Sequence, residues 1–179
     1  MESNDVATKL VLVDERDVAV GIADKLQAHH DGLLHRACSV FVFDDSHRLL
    51  LQRRADGKYH SGGLWSNTCC GHPLPGEAPI QAAHRRLREE MGFDCQLRSR
   101  GCFVYRADVG NGLIEHEYDH LFVGRFAGVP APNVDEVSAW RWESVGTVVQ
   151  ELRTRPDDYT KWVHGALDSV FAAMIKEVR

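Results

Sequence analysis

Three histidines and two glutamates, His29, His35, His72, Glu115 and Glu117, are the residues of this chain whose types best suit a divalent cation. Imidazoles and carboxylates in one set favour Mn, Mg, Zn or Fe with roughly octahedral geometry. Glu115-x-Glu117 is the most informative piece. Strand side chains alternate, so both carboxylates fall on one face. Two like charges side by side are unfavourable unless a cation or a raised pKa relieves them. If the five residues do not converge, the histidines are satisfied core or surface groups and the glutamates a solvated strand face. Spacing alone does not decide.

Cys70-Gly71-His72 sets a thiol and an imidazole around one glycine. An exposed cysteine near a cation is a candidate base or nucleophile, whereas a buried one is a small apolar residue. Cys69 is the immediate neighbour, and chemistry does not choose between the two. A third set is helical: Arg85, Arg86, Arg88, Glu89 and Glu90. Arginine can grip a diphosphate directly and glutamate can do so through Mg²⁺, although a salt-bridged solvated helix is the commoner use of such residues. Arg53, Arg54 and Lys58 would add to that cluster. Tyr105, Trp65 and Trp162 offer aromatic faces for a cation or for core packing.

These sets need elements that bring them together. Lys9–Val13 and Val18–Ile22 read as a hairpin, preceded by a polar segment, residues 1–7, expected to fray. Ala23–His29 reads as one or two helical turns, broken at His30-Asp31-Gly32. His35–Phe43 is nearly continuous apolar β-former, a central strand buried on both faces, with Arg48–Arg54 as its hairpin partner. Residues 56–63 form a polar, Gly-rich loop, and Leu64–Cys69 a short strand. Ile80, Ala83, Leu87 and Met91 give a helix over Glu77–Met91 one apolar stripe, closed by Gly92. A strand within Asp94–Ala107 that includes Phe103-Val104-Tyr105, a loop at Asp108–Gly112, a long β-like run over Leu113–Gly128, and a strand at Val137–Trp142 follow. Helices over Glu143–Leu152 and Tyr159–Val178 end the chain.

The 179 residues are expected to form one domain, 1–179, large enough for a real core. A net charge of −5 gives no case for general nucleic-acid binding. Five cysteines without zinc-finger spacing and no leader pattern point to reduced thiols in a cytoplasm. No apolar run reaches the length of a membrane span.

Together these residues resemble the type 1 isopentenyl-diphosphate isomerases, a branch of the Nudix superfamily, from about Lys25 to Trp162. The most specific stretch is Asn67-Thr68-Cys69-Cys70-Gly71-His72-Pro73, close to the family's N-[ST]-x-C-G-H-P. The resemblance implies that Cys70, not Cys69, is catalytic, together with Glu117 and Tyr105. It implies that His29, His35, His72, Glu115 and Glu117 hold one divalent metal (Mn, Zn or Mg), with His30 as an alternative to His29. It further implies that Glu90 binds a second Mg²⁺ carried with the diphosphate, and that Lys25, Arg54, Lys58, Arg86 and Trp162 contact the substrate.

The Nudix box G-x5-E-x7-R-E-U-x-E-E-x-G-U, where U is a bulky apolar residue, is met at Gly71, Glu77, Arg85, Leu87, Glu89, Glu90, Gly92 and Phe93. The first Glu of its R-E pair is Arg86 here. That reversal removes a carboxylate from a hydrolytic metal site and adds a cation suited to an intact diphosphate. The implied fold is α/β (α+β), a Nudix-like mixed β-sheet sandwiched between α-helices. The implied reaction interconverts isopentenyl and dimethylallyl diphosphate: Glu117, helped by Tyr105, protonates the terminal methylene, Cys70 as thiolate takes a proton from C2, and Trp162 faces the cationic carbon. The expected partner is this small isoprenoid diphosphate, with no nucleic acid, no membrane and no obligate protein partner, in a monomer or weak dimer. The rival expectations are a Nudix diphosphate hydrolase and an inactive Nudix-fold binding module.

Overall fold

The computed structural model describes residues 9–177; the segment 1–7, expected to fray, lies outside them. Among the described residues the strands are β1 (Lys9–Val13), β2 (Ala19–Asp24), β3 (His35–Phe43), β4 (Arg48–Arg54), β5 (Trp65–Ser66), β6 (Cys69–Gly71), β7 (Leu97–Gly110), β8 (Leu113–Arg125) and β9 (Val137–Ser144). The helices are α1 (Lys25–Asp31), α2 (Pro79–Met91), α3 (Val145–Thr154) and α4 (Lys161–Glu177).

β3 is the axis of the sheet. It runs parallel to β8 in unbroken register from His35↔Glu117 to Phe43↔Arg125. Its other edge meets β1 at His35, β6 from Cys38 to Val40, and β4 at Phe43, all antiparallel. Eight of its nine residues are buried, as the apolar run implied. Alternation divides them between two cores. Phe41 and Phe43 join Leu121 and the α3–α4 residues Val148, Leu152, Trp162, Val163, Leu167 and Val170. Cys38, Val40 and Val42 join Ala82, Ala83, Leu87 and Met91 of α2. The sheet is therefore a layer between helices. Leu87 and Met91, both fully buried, contribute roughly 1.5–3 kcal/mol each to holding α2 on its face.

Several boundaries differ from the sequence reading, each for a local reason. α1 begins at Lys25 rather than Ala23, because β2 extends to Asp24 to pair with Lys9. It ends at Gly32, which takes the left-handed conformation (φ 62°) and donates to the Ala28 carbonyl. α2 begins at Pro79 rather than Glu77. The Glu77 carboxylate is occupied with the preceding turn, accepting from the Leu74 N–H at 2.8 Å. α3 starts one turn-defining residue after Ser144, whose hydroxyl accepts from the Thr147 N–H. The single strand expected at Leu64–Cys69 is split into β5 and β6. The expected loop at Asp108–Gly112 is a tight turn at the tip of the β7–β8 hairpin, with Gly110, Asn111 and Gly112 all at positive φ. No helix of the described residues is long and apolar enough to cross a membrane.

Candidate active site

The face of the sheet that feeds Phe41 and Leu121 into the core carries polar residues toward the N-terminal ends of β3 and β8. His35 and Ser39 of β3, and Glu115, Glu117 and Asp119 of β8, follow that alternation. They lie beneath a cavity of about 1250 Å³ roofed by Trp162 of α4.

His29, His35, His72 and Glu115 bring one ligand atom each within 4.8 Å of one another. α1 delivers His29 because Lys25 and His29 are one turn apart and share its buried face. His29 Nδ1 lies 2.7 Å from the Lys25 carbonyl, and His35 Nδ1 lies 2.8 Å from the Leu33 carbonyl. A carbonyl only accepts, so each Nδ1 carries the hydrogen and each Nε2 turns a lone pair toward the cluster. Glu115 Oε2 is 3.1 Å from His29 Nε2 and 3.8 Å from His35 Nε2. Both His35 Nε2 and Glu115 Oε2 are buried without a hydrogen-bond partner. Orphaned lone pairs in the interior are costly, and acceptors converging on one point fit a divalent ion. His30 takes no part: its side chain is 74% exposed beside Asp31.

Glu117 completes the cluster. Oε1 lies 2.9 Å from His72 Nε2, and Oε2 accepts from the Tyr105 hydroxyl at 2.6 Å. Burial works against charge on Glu117, as does Glu115, but His35 and His72 outweigh them and hold the carboxyl below its usual range. Burial opposes charge on Glu115 too, and His29 and His60 overcome it, leaving that group well below its usual value. Burial alone would lower His29; Glu115 and the Lys25 carbonyl reverse this and raise it, so protons compete with a metal there. Burial pushes His72 down to about 4 against the pull of Glu117, which keeps it neutral and able to ligate. Tyr105 stays protonated, since burial and Glu117 push its pKa well up.

The β3–β6 pairing separates the two cysteines. Cys69 opposes Val40 and is buried in the α2 core, whereas Cys70 opposes Ser39 and opens to the cavity. Its thiol donates to Asn67 Oδ1 at 3.1 Å and lies 3.5 Å from Ser39 Oγ. Ser39 in turn donates to Asp119 at 2.7 Å. Burial, then the charge of Asp119, pushes the Cys70 thiol up to about 12. Both effects favour the thiol over the thiolate.

The cationic end is built by α2 and the loop at residues 56–63. Arg86 reaches Glu90 at 2.8 Å, Glu89 at 2.7 Å and Glu136 at 3.1 Å. Lys58 lies 2.7 Å from Glu136. Gly71 is required here, because a Cβ would stand 2.5 Å from Arg86 Cγ. Glu90 Oε1 accepts from Arg86, while Oε2, among the described residues, accepts from Gln52 at 2.6 Å and keeps a lone pair. Arg54 lies over the Trp162 ring at 5.5 Å, and Lys25 over Tyr59 at 4.9 Å. The Trp162 N–H is held by Ser66 and Asn67.

The cavity thus gathers Cys70, Tyr105, Glu115, Glu117, His72, Glu90 and all five expected substrate contacts, with His29 and His35 behind the carboxylates. Trp65 is elsewhere, 4.4 Å from Arg141. Arg85 lines the cavity while holding Glu77 and the His72 carbonyl, and Arg88 lies outside it, paired with Asp94. The sequence reading missed Asp119, which continues the Glu-x-Glu alternation by one step and was open to the same argument. It also missed Asn67, a member of its own motif. Tyr59, His60 and Glu136 carry no local signal; their loops must fold before they meet the site.

The NUDIX domain family matches residues 33–163. The chain is 58% identical to an isopentenyl-diphosphate Delta-isomerase of Burkholderia multivorans, over 87% of this chain and 89% of that protein. It is 54% identical to isopentenyl-diphosphate Delta-isomerase 2 of Aromatoleum aromaticum, over 92% of this chain and 87% of that protein. Among solved structures, DR0079 from Deinococcus radiodurans shares the fold at a TM-score of 0.67 and 18% identity, over 82% of this chain and 90% of that one. A MutT protein from Methanosarcina mazei shares it at 0.63 and 13%, over 82% and 96%. The chain belongs to the Nudix family and, within it, to the isopentenyl-diphosphate Delta-isomerases.

Proposed function

We propose that this chain interconverts isopentenyl and dimethylallyl diphosphate, the activity for which its relatives are named. The observation that carries the reading is that one cavity is lined by Cys70 and the Tyr105–Glu117 pair and also by the cations Arg86 and Lys58. The reaction moves a proton across an unactivated alkene through a tertiary carbocation, so it needs an acid and a base placed on the substrate. Cys70 and Glu117 are that pair. Trp162, which lines the cavity, offers its ring to the developing cation.

Protonation of the terminal methylene needs a proton on Glu117, and removal of a proton from C2 needs an unprotonated Cys70; Tyr105 is the donor that orients the Glu117 carboxylate. The reverse reaction exchanges the two roles.

His29, His35, His72, Glu115 and Glu117 are the residues that would hold a divalent ion, Mn, Zn or Mg. When bound, it supplies positive charge that fixes the two carboxylates and tunes their acidity. Glu90, through its free Oε2 lone pair, is the proposed contact for Mg²⁺ carried by the diphosphate. Arg86, Arg54, Lys58 and Lys25 hold the diphosphate remote from the reacting carbons, which contributes positioning energy. Arg86 also argues against hydrolysis, since it stands where a hydrolytic box has a carboxylate for metal. Incubation with isopentenyl diphosphate and Mg²⁺ in D₂O, followed by NMR, tests the reading. Deuterium in a dimethylallyl product supports it; released phosphate would replace it with hydrolysis, and an unchanged substrate with mere binding.

A further inference from the structure

His60 comes from the polar loop between β4 and β5, yet its side chain is only 2% exposed. Burying an imidazole is costly unless both nitrogens are paired, and here both are. Nε2 lies 2.9 Å from Glu115 Oε1, and Nδ1 lies 3.1 Å from Ser61 Oγ. An ionised carboxylate only accepts, so Nε2 carries the hydrogen and Nδ1 accepts from the Ser61 hydroxyl. The ring stands edge-on to Trp162, with centroids 6.0 Å apart.

The loop backbone is bent to make this possible. Ser61 adopts φ 53°, a left-handed conformation that residues with a Cβ seldom take. A Cβ on Gly62 would stand 2.6 Å from the Asp56 carbonyl oxygen, so only glycine lets the loop close on itself there.

The two oxygens of Glu115 are consequently in different states. Oε1 is held by His60, while Oε2 faces His29 and His35, buried and without a hydrogen bond. We propose that His60 is a positioning residue of the metal centre. Its Nε2–H fixes the Glu115 carboxylate so that Oε2 is presented to the ion, and Ser61 sets the tautomer that makes this possible. His60 stands outside the ligand atoms of His29, His35, His72 and Glu115 that converge within 4.8 Å, and its Nδ1 is taken by Ser61. Partners of this kind behind a metal ligand raise affinity by orienting it before the ion arrives.

The inference rests on reading the His/Glu cluster as a metal centre, and the test separates the two. Metal-free protein is titrated with Mn²⁺ alone, with free Mn²⁺ followed by electron paramagnetic resonance and binding heat by calorimetry; neither readout needs turnover. His60→Ala is expected to bind Mn²⁺ about 10- to 100-fold more weakly. His60→Gln, whose amide N–H can reach the same oxygen, is expected to recover most of that loss. Ser61→Ala is expected to weaken binding less than His60→Ala does. Unchanged affinity in His60→Ala overturns the proposal. So does a His60→Gln as weak as His60→Ala, which would make His60 a ligand. If His60→Ala fails to fold by circular dichroism, the ¹⁵N spectrum of the wild-type ring decides: hydrogen on Nε2 supports the proposal, and hydrogen on Nδ1 overturns it. A wild-type protein that binds no Mn²⁺ removes the metal centre and His60's role together, an outcome distinct from every other.

Discussion

Tyr105 and Glu117 are direct register partners across the β7–β8 ladder, and the tyrosine hydroxyl donates to Glu117 Oε2 at 2.6 Å. Two strands thus hold the hydrogen bond, and no loop has to order for it to form. Tyr105→Phe removes one donor from a buried carboxylate and leaves the ring packed against Phe103. A hydrogen bond to a charged group contributes about 1.5–3 kcal/mol, so kcat should fall roughly 10- to 100-fold. KM for isopentenyl diphosphate should hardly move, because the diphosphate is gripped elsewhere. Steady-state kinetics that instead show a raised KM at constant kcat would remove Tyr105 from the proton-transfer end.

The adjacent cysteines should separate cleanly. Cys70→Ala is expected to lower turnover by at least about 10²- to 10⁴-fold, the usual effect of losing an acid–base group, with the fold retained. Cys69→Ala, at a fully buried core position, should cost on the order of 1 kcal/mol of stability and leave kcat within a few-fold of wild type. Urea denaturation and the deuterium-incorporation assay on both variants check this. An active Cys70→Ala beside an inactive Cys69→Ala would reverse the assignment.

Arg86 should report on substrate grip. Arg86→Met leaves Glu89, Glu90 and Glu136 without their shared cation. The expected result is a KM for isopentenyl diphosphate raised at least about tenfold, the scale of losing one charge-assisted contact. Gly71→Ala should produce the same kinetic pattern with Arg86 intact, because its Cβ would occupy the path of the arginine stem. Normal kinetics in Gly71→Ala would show that the arginine can re-route without consequence.

Acidification should weaken the metal-free protein through His72. Burial lowers its pKa to about 4 in the folded chain, below the unfolded value near 6.5. As pH falls, the unfolded chain takes up the proton first, so stability declines from about pH 6.5 toward pH 4. The full contribution is on the order of 3 kcal/mol. His60, also lowered by burial, adds to the decline, while His29, raised, opposes it. Urea midpoints across this window should fall less steeply for His72→Asn than for wild type. Parallel curves would place the loss in another group.

Much of the frame was legible in the chain because its signals are local. The apolar run of β3 and the Ile80–Ala83–Leu87–Met91 stripe of α2 state their burial directly. The bounds of β7 within Asp94–Ala107 were not legible because Arg98 and Ser99 carry no strand signal; their pairing comes from the long ladder with β8. The choice between Cys69 and Cys70 needed either the motif or the register of a three-residue strand too short to be seen in the sequence. His60 and Glu136 depend on loops that acquire meaning only after the sheet and α2 have formed.

The unbroken β3–β8 ladder also sets where this enzyme can breathe. His35 and Glu117 oppose each other at one end of nine consecutive pairs, so their backbone can separate only when the central sheet opens. Amide protons there should exchange at the rate of global unfolding, and those of residues 56–63 through cheaper local openings. The carboxylates at the chemical end are thus anchored by the most persistent part of the sheet, and only their partners from residues 56–63 are open to local exchange.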